Sequence, residues 1–88
     1  MAAKKWRTMG LSTSQRFLVE ANRAAGAGDC FRWRGVGEIL GYSDAQAGEA
    51  VQSLGDRRLL VQLADGEVRI LAAGKVLAEK LEEKLGAG

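Results

Sequence analysis

The sequence predicts a mostly helical α+β domain carrying a small antiparallel sheet. Three observations carry that expectation. Ser-x-x-Gln occurs twice, at Ser12–Gln15 and Ser43–Gln46, each time ahead of an apolar pattern of helical period. A serine hydroxyl that accepts a first-turn N–H, with a glutamine reaching back to the cap, starts a helix at a defined residue. Asp65-Gly66 lies between two apolar-rich stretches, and both residues tolerate the positive φ of a tight hairpin turn. Leu77, Leu81 and Leu85 then recur at i, i+4 and i+8, the signature of a terminal helix.

The 88 residues suffice for one domain with a modest core. Residues 1–10 (MAAKKWRTMG) show no helical stripe and read as a flexible basic arm, leaving residues 11–88 as the single domain. Lys4, Lys5 and Arg7 suit a phosphate backbone, with Trp6 stacking on a base or sugar; the alternative folds Trp6 onto the domain. Leu11 to Ala25 is the first helix, with Phe17, Leu18, Ala21, Ala24 and Ala25 on one face and Arg16, Glu20 and Arg23 pointing away. Gly26 to Asp29 breaks it. Cys30 to Trp33 reads as a short strand with Phe31 and Trp33 on one side and Arg32 outward, suited to join the hairpin as a third strand.

Gly35 to Leu40 is a short second helix with Val36, Ile39 and Leu40 inward, ended by Gly41. The third helix, about 44–56, turns Ala47, Val51, Leu54 and the stem of Arg58 toward the core. A short helix, a glycine-containing turn and a capped helix make a helix-turn-helix unit. The hairpin covers about 59–71. A two-residue turn sets Leu63 opposite Val68 and Val61 opposite Ile70 on one apolar face. The C-terminal helix, about 72–85, carries the leucine row, which either packs on this domain or forms a homodimer seam.

Composition excludes several chemistries. Histidine is absent and Cys30 is the sole cysteine, so an intrachain disulfide, the usual zinc sites and histidine-based triads are ruled out. Cys30, beside Phe31, reads as a buried structural residue. No carboxylate pair or phosphate-binding glycine loop is apparent, so neither an enzyme nor a cofactor is expected; Gly35-Val36-Gly37 is punctuation. No apolar run approaches the ~20 residues of a membrane span and no signal peptide is evident, so a cytoplasmic protein is expected. Net charge is +2, unevenly spread: residues 1–34 carry +5 and residues 35–88 carry −3.

The order of elements and several local patterns resemble the winged helix-turn-helix superfamily, and within it the MarR-like branch of bacterial regulators. Leu11-Ser12-x-x-Gln15 resembles the opening of that family's first core helix. Val36-Gly37-Glu38-Ile39-Leu40-Gly41-Tyr42-Ser43 resembles its second helix and turn. Ala47-x3-Val51-x2-Leu54-x4-Leu59-Leu60-Val61 resembles its recognition helix and the step into the wing, Asp65-Gly66 a shortened wing tip, and Leu71-x2-Gly74-x2-Leu77 the helix that follows. The resemblance implies three core helices, a short strand plus a two-stranded wing hairpin, and a C-terminal helix. It also implies a transcription-regulator-like module with the third helix in the major groove of duplex DNA.

In that arrangement Ser43, Ala45, Gln46, Glu49 and Gln52 face the bases, and Arg34, Arg57, Arg69 and the Lys4, Lys5, Arg7 arm face phosphates. The sequence departs from the family at three places. No residue from Ser43 to Gly55 is cationic, Asp65 and Glu67 flank the turn, and Arg58 stands where the family usually has a helix-ending glycine. The first two departures point to the alternative, a protein-interaction winged helix whose acidic third helix docks a basic partner.

Overall fold

A computed structural model of the chain describes residues 11–87, the side chains at 27 and 85–87 excepted; Lys4, Lys5, Trp6 and Arg7 therefore lie outside the described residues. Among these residues α1 spans Thr13–Ala25, β1 Cys30–Arg32, α2 Trp33–Leu40, α3 Asp44–Asp56, β2 Leu60–Gln62, β3 Glu67–Ile70 and α4 Ala72–Ala87. The fold is thus mostly helical with a small antiparallel sheet, strand order β1-β3-β2. As expected, the short strand before α2 joins the hairpin by pairing with β3.

Both helix starts obey the capping chemistry. Ser12 Oγ accepts from Gln15 N–H at 3.1 Å while Gln15 Oε1 accepts from Ser12 N–H at 2.9 Å. Ser43 and Gln46 repeat this with the same two distances. Helix ends are equally specific. At the end of α2, Gly41 is left-handed (φ 77°), and Gly41 and Tyr42 N–H return to Glu38 and Gly37 carbonyls. At the end of α3 the same Schellman pattern places Arg58 in the left-handed position at φ 61°, with Arg58 N–H donating to Gly55 and Leu59 N–H to Leu54. A non-glycine residue costs roughly 1–2 kcal/mol there. Leu54 and Leu59, the pair such a motif brings together, are both buried. Arg58 is exposed and does not extend the helical stripe; Ala50 fills the face instead.

Two glycines set how closely elements pack. A Cβ on Gly37 would lie 2.8 Å from Ala47 Cβ, so α2 and α3 cross at backbone contact. A Cβ on Gly74 would overlap the Leu59 carbonyl oxygen, so α4 rests directly on the chain entering β2. Around these contacts Phe17, Leu18, Ala21, Phe31, Val36, Ala50, Val51, Leu54, Leu60, Val68 and Ile70 form the core. Phe17 and Phe31 rings meet at 6.0 Å, tilted by 60°, within the favourable range for aromatic pairs.

Several side chains fall on other faces than their spacing suggests. Ile39 is 64% exposed. Each helical residue advances about 100°, so with Gly37 turned onto Ala47, Ile39 points outward. Trp33 begins α2 rather than extending the strand, and its half-buried ring packs at the core's edge. Ala24 is exposed, and Cys30 is only half-buried.

The hairpin register also differs. Asp65 and Gly66 adopt positive φ, 59° and 78°, as their identities demand. The loop nevertheless has three residues, Ala64–Gly66, closed by Leu63 N–H donating to the Glu67 carbonyl at 2.7 Å. Partners become Leu60 with Ile70, Val61 with Arg69 and Gln62 with Val68, one residue away from the two-residue-turn register. Such a slip exchanges the faces: Leu60 is buried, while Val61 and Leu63 are each 42% exposed. Leu81 is buried and Leu77 packs on the core, with α4 against α1. Two positions of the leucine row are thus spent inside the domain, the third having its side chain outside the described residues.

Two glycines of the α2–α3 unit, Gly37 and Gly48, are expected to respond oppositely to alanine. Gly37→Ala should destabilise by about 1–3 kcal/mol through overpacking against Ala47. Gly48 lies within α3 and a Cβ there meets nothing within 4 Å, so Gly48→Ala should stabilise by about 1 kcal/mol. Urea midpoints at constant slope measure both. Arg58→Gly should stabilise by about 1 kcal/mol, raising Tm by roughly 4–8 °C in a domain of this size. An unchanged or lowered Tm would count against strain at Arg58.

Candidate nucleic-acid interface

The outward face of α3 follows from its inward one. Ala47, Ala50, Val51 and Leu54 are buried, so Asp44, Ala45, Gln46, Glu49, Gln52 and Asp56 are exposed. Between this face and the start of α1 runs an open cleft of about 500 Å³ lined by Thr13, Ser14, Gln46, Glu49, Ala50 and Ser53. The Tyr42 phenol O–H donates to the carbonyl of Thr13, one of the lining residues, at 3.1 Å, tying the α2–α3 turn to α1.

Capping constrains what this face can recognise. Bidentate recognition of adenine needs both the carbonyl oxygen and the amide of a glutamine. Gln46 Oε1 already accepts from Ser43 N–H, and Ser43 Oγ from Gln46 N–H. Both residues therefore serve the helix start before any ligand. Gln52, exposed in the middle of the helix, has no such duty, and Glu49 offers an acceptor beside it.

A second cleft, of about 340 Å³, lies where β1 passes into α2. It is lined by Arg32, Trp33, Arg34, Gly35, Asp65 and Gly66 and shares no residue with the first. The Arg34 guanidinium sits over the Trp33 ring, 5.2 Å from its centroid. Arg32 donates from Nη1 to the Asp65 carbonyl at 3.2 Å, clamping the hairpin turn to this corner. The Arg32 side chain does not cap α2 and the first turn of α2 carries no acidic residue, so the cleft lining sets two cations, Arg32 and Arg34, against one acidic residue, Asp65.

Of the other expected cations, Arg57 is exposed just beyond α3, and Arg69 is exposed on β3, paired in register with Cys30 and Val61. Neither lines the two clefts. Residue typing alone passed over Arg32 and Trp33 as site residues. The available signal was the Arg32-Trp33-Arg34 triplet, two cations interleaved with an aromatic. No cluster of three or more metal-ligating side chains occurs among the described residues, and none of their helices is long and apolar enough to cross a membrane. The described residues carry ten basic and eleven acidic side chains, a net of −1; Lys4, Lys5 and Arg7 supply the excess that makes the chain +2.

Among the described residues, two groups titrate away from their ordinary values. Burial raises the Tyr42 phenol, opposed by the charge of Arg16. Hydrogen bonding to Asp29, at 2.9 Å, raises Lys75. Each group therefore holds its proton more tightly folded than unfolded. Their stabilisation is intact below the ordinary values of 10.0 and 10.5 and is lost as pH rises through the folded ones. Thermal midpoints should be flat through neutral pH and fall above about pH 10. Tyr42→Phe should lower the plateau while making the alkaline fall shallower; an unchanged alkaline slope would remove Tyr42 as its source.

Compared with protein-family models, curated proteins and solved structures, the chain matches none of them.

Proposed function

We propose that the chain is a winged helix-turn-helix DNA-binding module, transcription-regulator-like, in which α3 enters the major groove and β2–β3 is a short wing. The observation that carries this reading is the mounting of α3. One face is locked into the core against α2 at Gly37–Ala47, while the opposite face, from Asp44 to Gln52, is open to solvent along the helix. A helix presented in this way fits a groove about 12 Å wide. Phosphates are contacted from its surroundings: Arg32 and Arg34 at the hairpin corner, Arg57 beyond the helix, Arg69 on the sheet, and the Lys4, Lys5, Arg7 arm. Gln52 and Glu49 read bases; Ser43 and Gln46 chiefly hold the helix start.

One observation favours a second reading. The exposed face of α3 carries Asp44, Glu49 and Asp56 and, from Ser43 to Gly55, no cation. That face suits a basic protein partner.

A labelled duplex titrated at two salt concentrations separates the readings. The DNA module should bind weakly to moderately, with log Kd changing by about 0.9 per decade of salt for each phosphate contact. Replacing Lys4, Lys5 and Arg7 with alanine should flatten that slope and weaken all sequences alike. Gln52→Ala should instead shift preference among sequences at nearly constant slope. Glu49→Lys should raise nonspecific affinity. Absence of duplex binding at low salt, with a basic protein ligand lost on Glu49→Lys, would replace the DNA module by the docking module.

A further inference from the structure

Beside the two arginines assigned to phosphates, the hairpin corner holds an aromatic ring, Trp33, that duplex binding does not use. The half-buried Trp33 ring packs at the edge of the core and carries the Arg34 guanidinium 5.2 Å from its centroid. Stacked planar groups of this kind receive nucleobases, on an aromatic ring or on the guanidinium plane itself. The adjoining cleft, at about 340 Å³, lies near the small end of ligand sites, roughly 300–1,000 Å³. Its far wall is backbone. A Cβ built on Gly66 would be 3.8 Å from Trp33 Nε1, so the turn passes the indole edge without a side chain of its own. Arg32 uses one donor on Asp65 and retains four of the five donors of a guanidinium for an anion.

We propose that this corner binds one unpaired nucleotide, its base stacked on the Trp33–Arg34 pair and its phosphate on Arg32. The proposal rests on the DNA-binding reading and adds a substrate preference to it. A base inside a duplex is already stacked on its neighbours and is not free to enter. The occupant is therefore a nucleoside monophosphate unit, either free or in an unpaired strand. Asp65 also lines the cleft, so its two arginines are set against one acidic residue.

The test uses the full chain and three labelled DNAs at one salt concentration: a blunt duplex, the same duplex with a three-adenine tail, and the same tail without bases. The tailed duplex should bind about tenfold more tightly than the blunt one, the size expected of one stacked base. The abasic tail should give no gain. Trp33→Leu should abolish the gain and leave blunt-duplex affinity unchanged. Arg34→Gln, at an exposed position, should reduce the ratio of tailed to blunt affinity and keeps the test intact should Trp33→Leu fail to fold. Competition for the tail by dAMP, but not by inorganic phosphate, would identify free nucleotide as a second source; tail binding that dAMP leaves untouched would restrict the site to strands. Equal affinity for tailed and blunt duplexes, or a gain surviving both substitutions, overturns the site while the duplex reading stands. Tail binding without blunt-duplex binding keeps the site and removes the duplex reading. Binding to none of the three overturns both.

Discussion

The contact of Gly37 with Ala47 is the constraint on which the rest of the structure depends. At a separation that leaves no room for another carbon, α2 and α3 can cross only along these two residues. That crossing fixes the rotation of both helices. In α2 it sends Val36 inward and Ile39 out. In α3 it sends Ala50, Val51 and Leu54 toward α1 and the sheet, so the outward residues are those left over. The other end of α3 is held just as firmly. The left-handed turn at Arg58 delivers Leu59 and Leu60 into the core, and Gly74 lets α4 press on the Leu59 carbonyl. The exposed face of α3 is thus a product of two backbone-level contacts, one at each end.

Much of this was legible because it is local. A serine cap with a glutamine three residues on specifies a helix start without help from distant residues, and both starts stand at Ser12 and Ser43 as the spacing requires. Asp65-Gly66 likewise specifies left-handed backbone, and Arg58 takes the left-handed position from its place after the helix. The register did not follow, because dihedral preference does not count loop residues. Two alternating sets competed for the core, Val61 with Leu63 and Leu60 alone. The smaller set won, since Val68 and Ile70 already face inward and β2 must meet α3 near Gly55, where a Cβ would touch Leu60 at 3.9 Å. Ile39 and Trp33 were misplaced for the same reason. Their faces are decided by contacts between helices, and periodicity within a short segment cannot see those.

The candidate site divides similarly. Which residues lie outward on α3 could be read from its apolar stripe. That Gln46 is committed to Ser43 was implicit in the same capping box that located the helix, so one signal carries both a fold assignment and a limit on function. The hairpin corner was less visible. Arg32, Trp33, Arg34 and Gly66 are brought together by the antiparallel pairing of β1 with β3, which sets Arg32 opposite Glu67 and beside the turn. No spacing along the chain encodes that meeting.

Under the proposed function, the acidity of α3 is a matter of discrimination rather than affinity. Attraction to duplex DNA comes from phosphate neutralisation, and on this chain no residue from Ser43 to Gly55 is cationic. A carboxylate such as Glu49 brought into the major groove gains only where a cytosine amine can donate to it. Elsewhere it is stripped of water and faces acceptors and phosphates, a penalty on every other sequence. Specificity built from such penalties lowers binding to wrong sites more than it raises binding to the right one. A domain with a net charge of −1 over its described residues has little nonspecific attraction to overcome. A few penalties therefore suffice to separate target from background, provided the cationic residues outside α3 first bring the duplex close.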